Sequence, residues 1–308
     1  MNDFVKQERI VSFKNKNFKR FNWDIITHCN YKCSYCYARA NEEDWLKISR
    51  NNIITEVIEK MKLITHPIDM ILLGGEPTLH PQYFEILDRL DNIENMKSIR
   101  ILSNGNYGSF EKMKIFVDKH KHLKTPFSFL LTYHVDEVKD ENEFFKTINY
   151  IKDKYYLEVN ILFDDANIDK NLKLMRKIYN MDIIVRPSLI FEDDTYKIIP
   201  EPQLSIFKNK ISKMLKDFEI KNELKFIKED KTFELHNDFS LYLKDFIGFK
   251  GWKCWMSEFF IQIGASDIRE FCSERIVDID YINNNKYIVC QLDNCICPGK
   301  ISLKKEKI

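Results

Sequence analysis

Between residues 21 and 190, short apolar runs alternate with stretches whose apolar positions recur every three or four residues. Six runs read as strands: FNWDIIT (Phe21–Thr27), IDMILLGG (Ile68–Gly75), SIRILSNG (Ser98–Gly105), FSFLLTYH (Phe127–His134), YYLEVNILF (Tyr155–Phe163) and MDIIVRPS (Met181–Ser188). Among the segments between them, SRNNIITEVIEKMKLI repeats Ile53, Ile54, Val57, Ile58 and Met61 at helical spacing. PQYFEILDRLDN places Phe84, Leu87 and Leu90 on one face, with Pro81 suited to a first helical turn, and KNLKLMRKIYN repeats the pattern with Leu172, Met175 and Ile178. This alternation predicts an α/β fold, a parallel sheet with helices outside it. Periodicity does not separate an open sheet from a partial barrel, but in both the chemistry gathers at the C-terminal ends of the strands.

Beyond the sixth strand the pattern changes. Residues from about 191 to 249 are lysine-rich and irregular, with LSIFKNKISKMLKDFEI the clearest helical stretch, and read as a connector. EFFIQIG and DIREFC flank a Gly264–Ala265–Ser266–Asp267 turn and predict a short hairpin, with Cys254 before its first strand and Cys272 on its second. The expected organisation is an extension over 1–20, the α/β unit over 21–190, a connector over 191–250 and a small cysteine-rich domain over 251–308.

Composition narrows the class. The chain has 308 residues, 44% hydrophobic and 31% charged, ordinary for a soluble enzyme. Lys+Arg 48 against Asp+Glu 47 leaves a formal charge of +1, with no basic stripe or aromatic array that would mark a nucleic-acid partner. MNDFVKQERIVSFKNKNFKR has no apolar core, so neither a signal peptide nor a membrane span is expected, and the reading is cytoplasmic. Eight cysteines in that compartment argue against a disulfide scaffold. Cys29, Cys33 and Cys36 lie near the start, the next 217 positions hold none, and Cys254, Cys272, Cys290, Cys295 and Cys297 close the chain. Two separate metal sites are the simplest account.

Thiolates select soft metals, yet zinc and most iron–sulfur clusters take four protein ligands. THCNYKCSYCYAR offers three thiols, and no fourth Cys or His stands nearby at a usual zinc-knuckle spacing. His28, directly before Cys29, reads as a loop residue. The C-x3-C-x2-C spacing after the first strand, with the aromatic Tyr35 before the last cysteine and LLGGEPTLH one helix later, resembles the radical S-adenosylmethionine (SAM) superfamily. The resemblance covers about residues 21–188 and implies a partial (β/α)6 TIM-like barrel. It also implies a 4Fe-4S cluster with three irons on Cys29, Cys33 and Cys36 and the fourth open to the amino and carboxylate groups of SAM.

The other site candidates follow that frame. In GGEP (Gly74, Gly75, Glu76, Pro77) the glycines permit close backbone approach and Glu76 can accept from an ammonium; the resemblance makes this the segment that binds the SAM amine. Ser103 and Asn104 fall where the family places polar residues near the SAM ribose, and Tyr35 beside cluster and adenine. Asn104–Gly105 is also an ordinary turn signal. His134 ends the fourth strand, as a packed histidine or a ligand contact. Glu158 and Asn160 share a strand face opposite Val159. A guanidinium on the sixth strand, Arg186, needs an acid, which the SAM carboxylate or a salt bridge within the protein would supply.

Residues 251–298 resemble more loosely the auxiliary-cluster domains, SPASM and its shortened twitch form, of many radical SAM enzymes. Cys254, nine residues, Gly264, then Cys272 follows that opening, except that seven residues rather than about four separate Gly264 from Cys272. CQLDNCICPG adds a C-x4-C-x-C turn. Five cysteines are too few for two clusters, so one auxiliary iron–sulfur cluster is expected, 4Fe-4S in preference to 2Fe-2S. Cys290, Cys295 and Cys297 lead the ligand set, joined by Cys272 before Cys254, or by both with one of the last three spare. A structural zinc is the alternative.

The resemblance implies reductive cleavage of SAM to a 5'-deoxyadenosyl radical that abstracts hydrogen from a substrate, with reduced flavodoxin or ferredoxin as electron donor. The twitch-like tail favours oxidative modification of a ribosomal peptide or similar natural-product precursor. About twenty residues before the first strand leave no room for a separate peptide-recognition domain, which weakens the peptide case without removing it; a sugar- or aminocyclitol-like small molecule is the alternative. A non-catalytic iron–sulfur or zinc protein is the remaining class.

Overall fold

The computed structural model describes residues 7–12, 18–36, 47–163, 167–190, 209–210, 213, 224–228, 233–236, 249–255, 260–265, 268–269, 279–284, 287–290 and 305–307. The first elements are β1 (Gln7–Ser12), β2 (Lys19–Ile26), α1 (Asn51–Lys62), β3 (Ile68–Gly74), α2 (Tyr83–Asp91) and β4 (Met96–Ser103). Then come α3 (Phe110–Asp118), β5 (Phe127–Tyr133), α4 (Glu141–Lys152), β6 (Tyr156–Phe163), α5 (Ile168–Tyr179) and β7 (Ile184–Leu189). The remainder is β8 (Leu224–Lys228), β9 (Phe233–His236), β10 (Lys253–Cys254), β11 (Phe260–Ile263), β12 (Ile268–Arg269), α6 (Ile279–Asn283), β13 (Ile288–Val289) and β14 (Lys305–Glu306).

Strands β2 to β7 lie side by side in chain order and all pair in parallel, as strand–helix alternation requires. Their period-two pattern turns Phe21, Trp23, Met70, Leu72, Ile99, Ile101, Phe129, Val159 and Ile161 into one buried cluster with Ile54, Val57 and Ile58 of α1 and Ile86, Leu87 and Leu90 of α2. Each such side chain contributes about 1.5–3 kcal/mol on burial. The other face carries Arg20, Asp69, Ser98, Arg100, Glu158 and Arg186, joined by Arg20–Asp69 (2.6 Å) and Arg100–Glu158 (3.2 Å). β11 extends the sheet beside β2, in parallel, with Ile261 opposite Phe21 and Ile263 opposite Trp23. Among the described residues the outermost strands, β12 and β7, are not paired to each other, so the sheet is unclosed, consistent with a partial barrel.

Four details differ from the sequence reading. α2 begins at Tyr83, so Pro81 precedes the helix instead of sitting in its first turn. The hairpin of EFFIQIG and DIREFC exists as β11–β12, yet its first strand belongs to the barrel sheet. The connector contains the antiparallel pair β8–β9. The extension contains β1, which sits between β14 and β8 in a second sheet of order β13-β10-β14-β1-β8-β9, antiparallel throughout. Ser49 ties the barrel together below the site: Trp23 Nε1 donates to its Oγ (3.3 Å), which donates to Ala265 O (3.0 Å). Among the described residues no helix is long and apolar enough to cross a membrane.

Candidate functional site

The C-terminal ends of β2, β3, β4 and β5 meet at one place. After β3 the chain runs back along the start of the cysteine loop, with Gly75 N donating to Ile26 O and Glu76 N to His28 O, both 2.8 Å. A Cβ on Gly75 would stand 2.2 Å from both Thr27 O and His28 O, and one on Gly74 would stand 1.9 Å from Ile26 O, where φ is +142°. The sequence reading had these glycines open the backbone to a ligand. Their tightest neighbours are instead the protein's own carbonyls.

Glu76 is fully buried. Its carboxylate accepts from Asn104 N (2.7 Å), Thr78 N (3.2 Å) and Thr78 Oγ1 (2.8 Å), so it ties β3 to β4 and is not a free acceptor. Burial raises its pKa, and those donors oppose the rise. Pro77, also buried, opens the 3-10 turn that follows.

The turn after β4 locks onto the first cysteine. Asn104 Nδ2 donates to Asn30 Oδ1 (2.7 Å) and lies 3.6 Å from Cys29 Sγ, which Tyr31 N approaches at 3.4 Å. Asn30 Nδ2 in turn donates to Asn106 O (2.9 Å). Ser103 is buried, its Oγ accepting from Gly105 N (3.0 Å). From β5, His134 Nδ1 reaches Cys33 Sγ at 3.3 Å and Tyr35 Oη at 3.2 Å. The Tyr35 and His134 rings are parallel to within 4°, and Tyr31 stands edge-on to His134. His28 is exposed.

Electrostatics show what the site lacks. Burial raises the Cys29 pKa, with the charges of Glu76 and Cys36 adding to it. Burial likewise pushes the Cys33 thiol up to about 11, reinforced by Glu137 and the other two cysteines. Burial lowers the His134 pKa to about 4, leaving a neutral imidazole. Three mutually destabilising thiolates are relieved by cationic metal, which deprotonates a coordinating thiol outright. The donor set fits an iron–sulfur cluster on that ground. Among the described residues no three Cys, His, Asp or Glu converge on a single ion position. A cluster that takes each thiolate on a different iron does not require such convergence.

Asn160 and Arg186 stand opposite each other on β6 and β7. Asn160 Oδ1 accepts from Ser188 Oγ (2.6 Å). Arg186 is half exposed, not enclosed in its strand, and its guanidinium pairs with buried Glu158, which also takes Tyr156 Oη at 2.8 Å. The arginine thus has an acidic partner within the protein.

In the second sheet Cys254 and Cys290 are both buried. Lys253 pairs with Val289 and Cys254 with Ile288, and Cys290 N donates to Trp252 O (2.9 Å). That register puts the two cysteines on one face at diagonal positions of adjacent strands. Cys272, Cys295 and Cys297 lie outside the described residues. Asn30, Tyr31 and Glu137 escaped the sequence reading. The first two lie inside the C-x3-C spacing, where their closeness to the thiols was already implied.

A partial parallel barrel with three thiols at its mouth defines an α/β protein organised around a thiolate site. Residues 23–149 match the radical SAM superfamily. GTP 3',8-cyclase of Haemophilus influenzae (strain PittEE) is 26% identical over 106 residues, 33% of this chain and 30% of that protein. The Aquifex aeolicus (strain VF5) GTP 3',8-cyclase is 28% identical over 83 residues, 26% of each. The match thus spans less than a third of those relatives' length. Among solved structures, SuiB of Streptococcus suis bound to S-adenosylmethionine aligns with a TM-score of 0.54 at 14% identity, over 82% of this chain and 60% of that one. Native anSMEcpe with bound AdoMet and Cp18Cys peptide gives 0.54 at 14%, over 85% and 75%. At such identities the likeness is one of fold. The superfamily match is thus carried by residues 23–149, and the fold is the one these structures share.

Proposed function

We propose that Cys29, Cys33 and Cys36 hold a 4Fe-4S cluster, that SAM binds its open iron, and that the enzyme abstracts hydrogen from a peptide, oxidising it. The observation that carries this reading is the meeting of the cysteine loop, Gly74–Pro77 and Asn104 at one set of strand ends, inside the superfamily-matched segment. When bound, cluster and SAM supply a one-electron reductive cleavage that gives methionine and a 5'-deoxyadenosyl radical. With the Glu76 carboxylate occupied, the backbone of Gly74–Pro77 is what remains to meet the SAM amine. Ser103, Asn104, Tyr35 and His134 border the same place, and Asn160 and Arg186 stand opposite each other on the charged face of β6 and β7. Cys254 and Cys290, with two of Cys272, Cys295 and Cys297, hold one auxiliary iron–sulfur cluster that takes the electron left on the substrate. Reduced flavodoxin or ferredoxin in the cytoplasm supplies the first electron.

The peptide reading draws on proteins of this fold solved with peptides, SuiB with its precursor peptide SuiA (13% identity, TM-score 0.53) and anSMEcpe with Cp18Cys. A small polar molecule is the second reading, favoured by the sequence match to GTP 3',8-cyclases and by the charged inner face. Anaerobic reconstitution followed by SAM and dithionite tests the class: 5'-deoxyadenosine and methionine are expected, and Cys33→Ala abolishes both while retaining iron at the C-terminal cysteines. Iron-loaded protein that forms no 5'-deoxyadenosine, alone or with peptide or nucleotide candidates, overturns the reading. The candidate class that accelerates its formation identifies the substrate type.

A further inference from the structure

The three thiols are not equivalent. Cys29 receives an amide from Tyr31 and the Asn104 side chain, at 3.4 and 3.6 Å. Cys33 meets a different arrangement, the stacked pair Tyr35 and His134, with Nδ1 3.3 Å from its sulfur and 3.2 Å from the Tyr35 oxygen. Among the described residues, none donates to the sulfur of Cys36.

Hydrogen-bond roles can be assigned by elimination. A metal-bound thiolate carries no proton and can only accept. Each imidazole nitrogen carries either an N–H or a lone pair, and a phenol can donate once while accepting. If the lone pair were on Nδ1, it would face the thiolate at 3.3 Å, lone pair against negative charge. The consistent set is therefore Nδ1–H on His134, shared between the Tyr35 oxygen and Cys33, which leaves the Tyr35 O–H to turn toward the same sulfur. The stacked rings hold both donors in place.

We propose that Tyr35 and His134 form a coupled pair of donors to the Cys33 sulfur that raises the reduction potential of the cluster held there. Hydrogen bonds to cluster sulfurs withdraw charge and favour the reduced, more negative state. Both residues are positioning residues, and their effect is on how readily the cluster accepts the electron that SAM cleavage consumes. The inference rests on the assignment of the triplet to a cluster.

The test is an EPR-monitored redox titration of the reconstituted full chain, following the signal that Cys33→Ala removes. Tyr35→Phe keeps the ring and loses the hydroxyl; His134→Phe loses the donor; His134→Asn keeps an N–H at the Nδ1 position. The expected result is a midpoint potential more negative than wild type in Tyr35→Phe and His134→Phe, with near-wild-type potential in His134→Asn. The double Tyr35→Phe/His134→Phe shift is expected to be smaller than the sum of the singles. Pulsed EPR in deuterated buffer should show exchangeable couplings at the cluster in wild type that Tyr35→Phe and His134→Phe diminish. Unchanged potentials and couplings at equal iron content overturn the proposal. A Cys33→Ala protein that keeps the wild-type iron content and signal would overturn the cluster assignment itself, a distinguishable outcome.

Discussion

Gly75→Ala tests how the cysteine loop is held. The added Cβ would lie 2.2 Å from two backbone carbonyl oxygens, Thr27 O and His28 O, where ordinary contact begins at 3.4 Å. Neither neighbour is a side chain that can rotate away, so the strand end and the loop must separate by about 1.2 Å, the difference of those distances. The bonds from Gly75 N to Ile26 O and from Glu76 N to His28 O, both 2.8 Å, would then stretch to about 4 Å, beyond hydrogen-bonding range. Each lost bond costs about 1 kcal/mol, and a buried amide left without a partner adds about 1 kcal/mol or more. The expected destabilisation is about 3 kcal/mol. Gly251→Ala is the control: φ is +81° with nothing within 4 Å of the new Cβ. It should cost about 1–2 kcal/mol from backbone strain alone. The assays are denaturant unfolding of iron-free protein and iron per chain after reconstitution. Gly75→Ala should lower both; Gly251, whose N–H donates to Cys290 O beside the C-terminal cysteines, serves as the control for stability alone. A Gly75→Ala protein with wild-type stability and full iron would refute the argument that these glycines bring the two backbones together.

Glu158→Gln leaves Arg100 and Arg186 without their shared carboxylate and is expected to cost about 3 kcal/mol at neutral pH, read by urea unfolding. Burial acts to raise the Glu158 pKa, but the two arginines outweigh it and hold the value below the ordinary 4.5. Its stabilisation is therefore complete above that value and lost as pH falls through the depressed one, so the gap between wild type and variant should close on acidification. In NMR titrations His122, hydrogen-bonded to Asp88, should titrate above the ordinary 6.5. Buried His120 should stay neutral until about 4; coincident midpoints would contradict both environments. Cys254→Ala and Cys290→Ala should each remove the same share of iron, separate from the share lost in Cys33→Ala, and unequal losses would refute a common C-terminal cluster.

The barrel was legible because its signals are local. Period-two runs with glycine or polar ends marked all six central strands, and most boundaries moved by one to three residues. The second sheet was not legible: β1 pairs with β14, Arg9 opposite Glu306, and no local pattern encodes a partner almost a whole chain away. The connector's β8–β9 pair was hidden similarly, since LKFIK and FELH are too short to stand out among lysine-rich helical spacing.

The site divides along the same line. Thiol spacing and GGEP are readable because their chemistry lies in residue type and interval. What surrounds them depends on which strands are neighbours and in what register, which no single local pattern reveals: shifting a strand by one residue would turn its side chains to the other face. Arg186 shows the consequence. A guanidinium on the sixth strand demanded an acid, and Glu158 was already known to share a face with Asn160. Only the pairing of β6 with β7 brings them together, since Arg186 stands opposite Asn160 and reaches Glu158 diagonally. The same holds for His134, equally credible as packing or contact until β5 set it beside Cys33 and Tyr35. Three cysteines suffice to suggest a thiolate site, but their surroundings come from three other strand ends, and that is where substitutions can tune the proposed centre without removing a thiol.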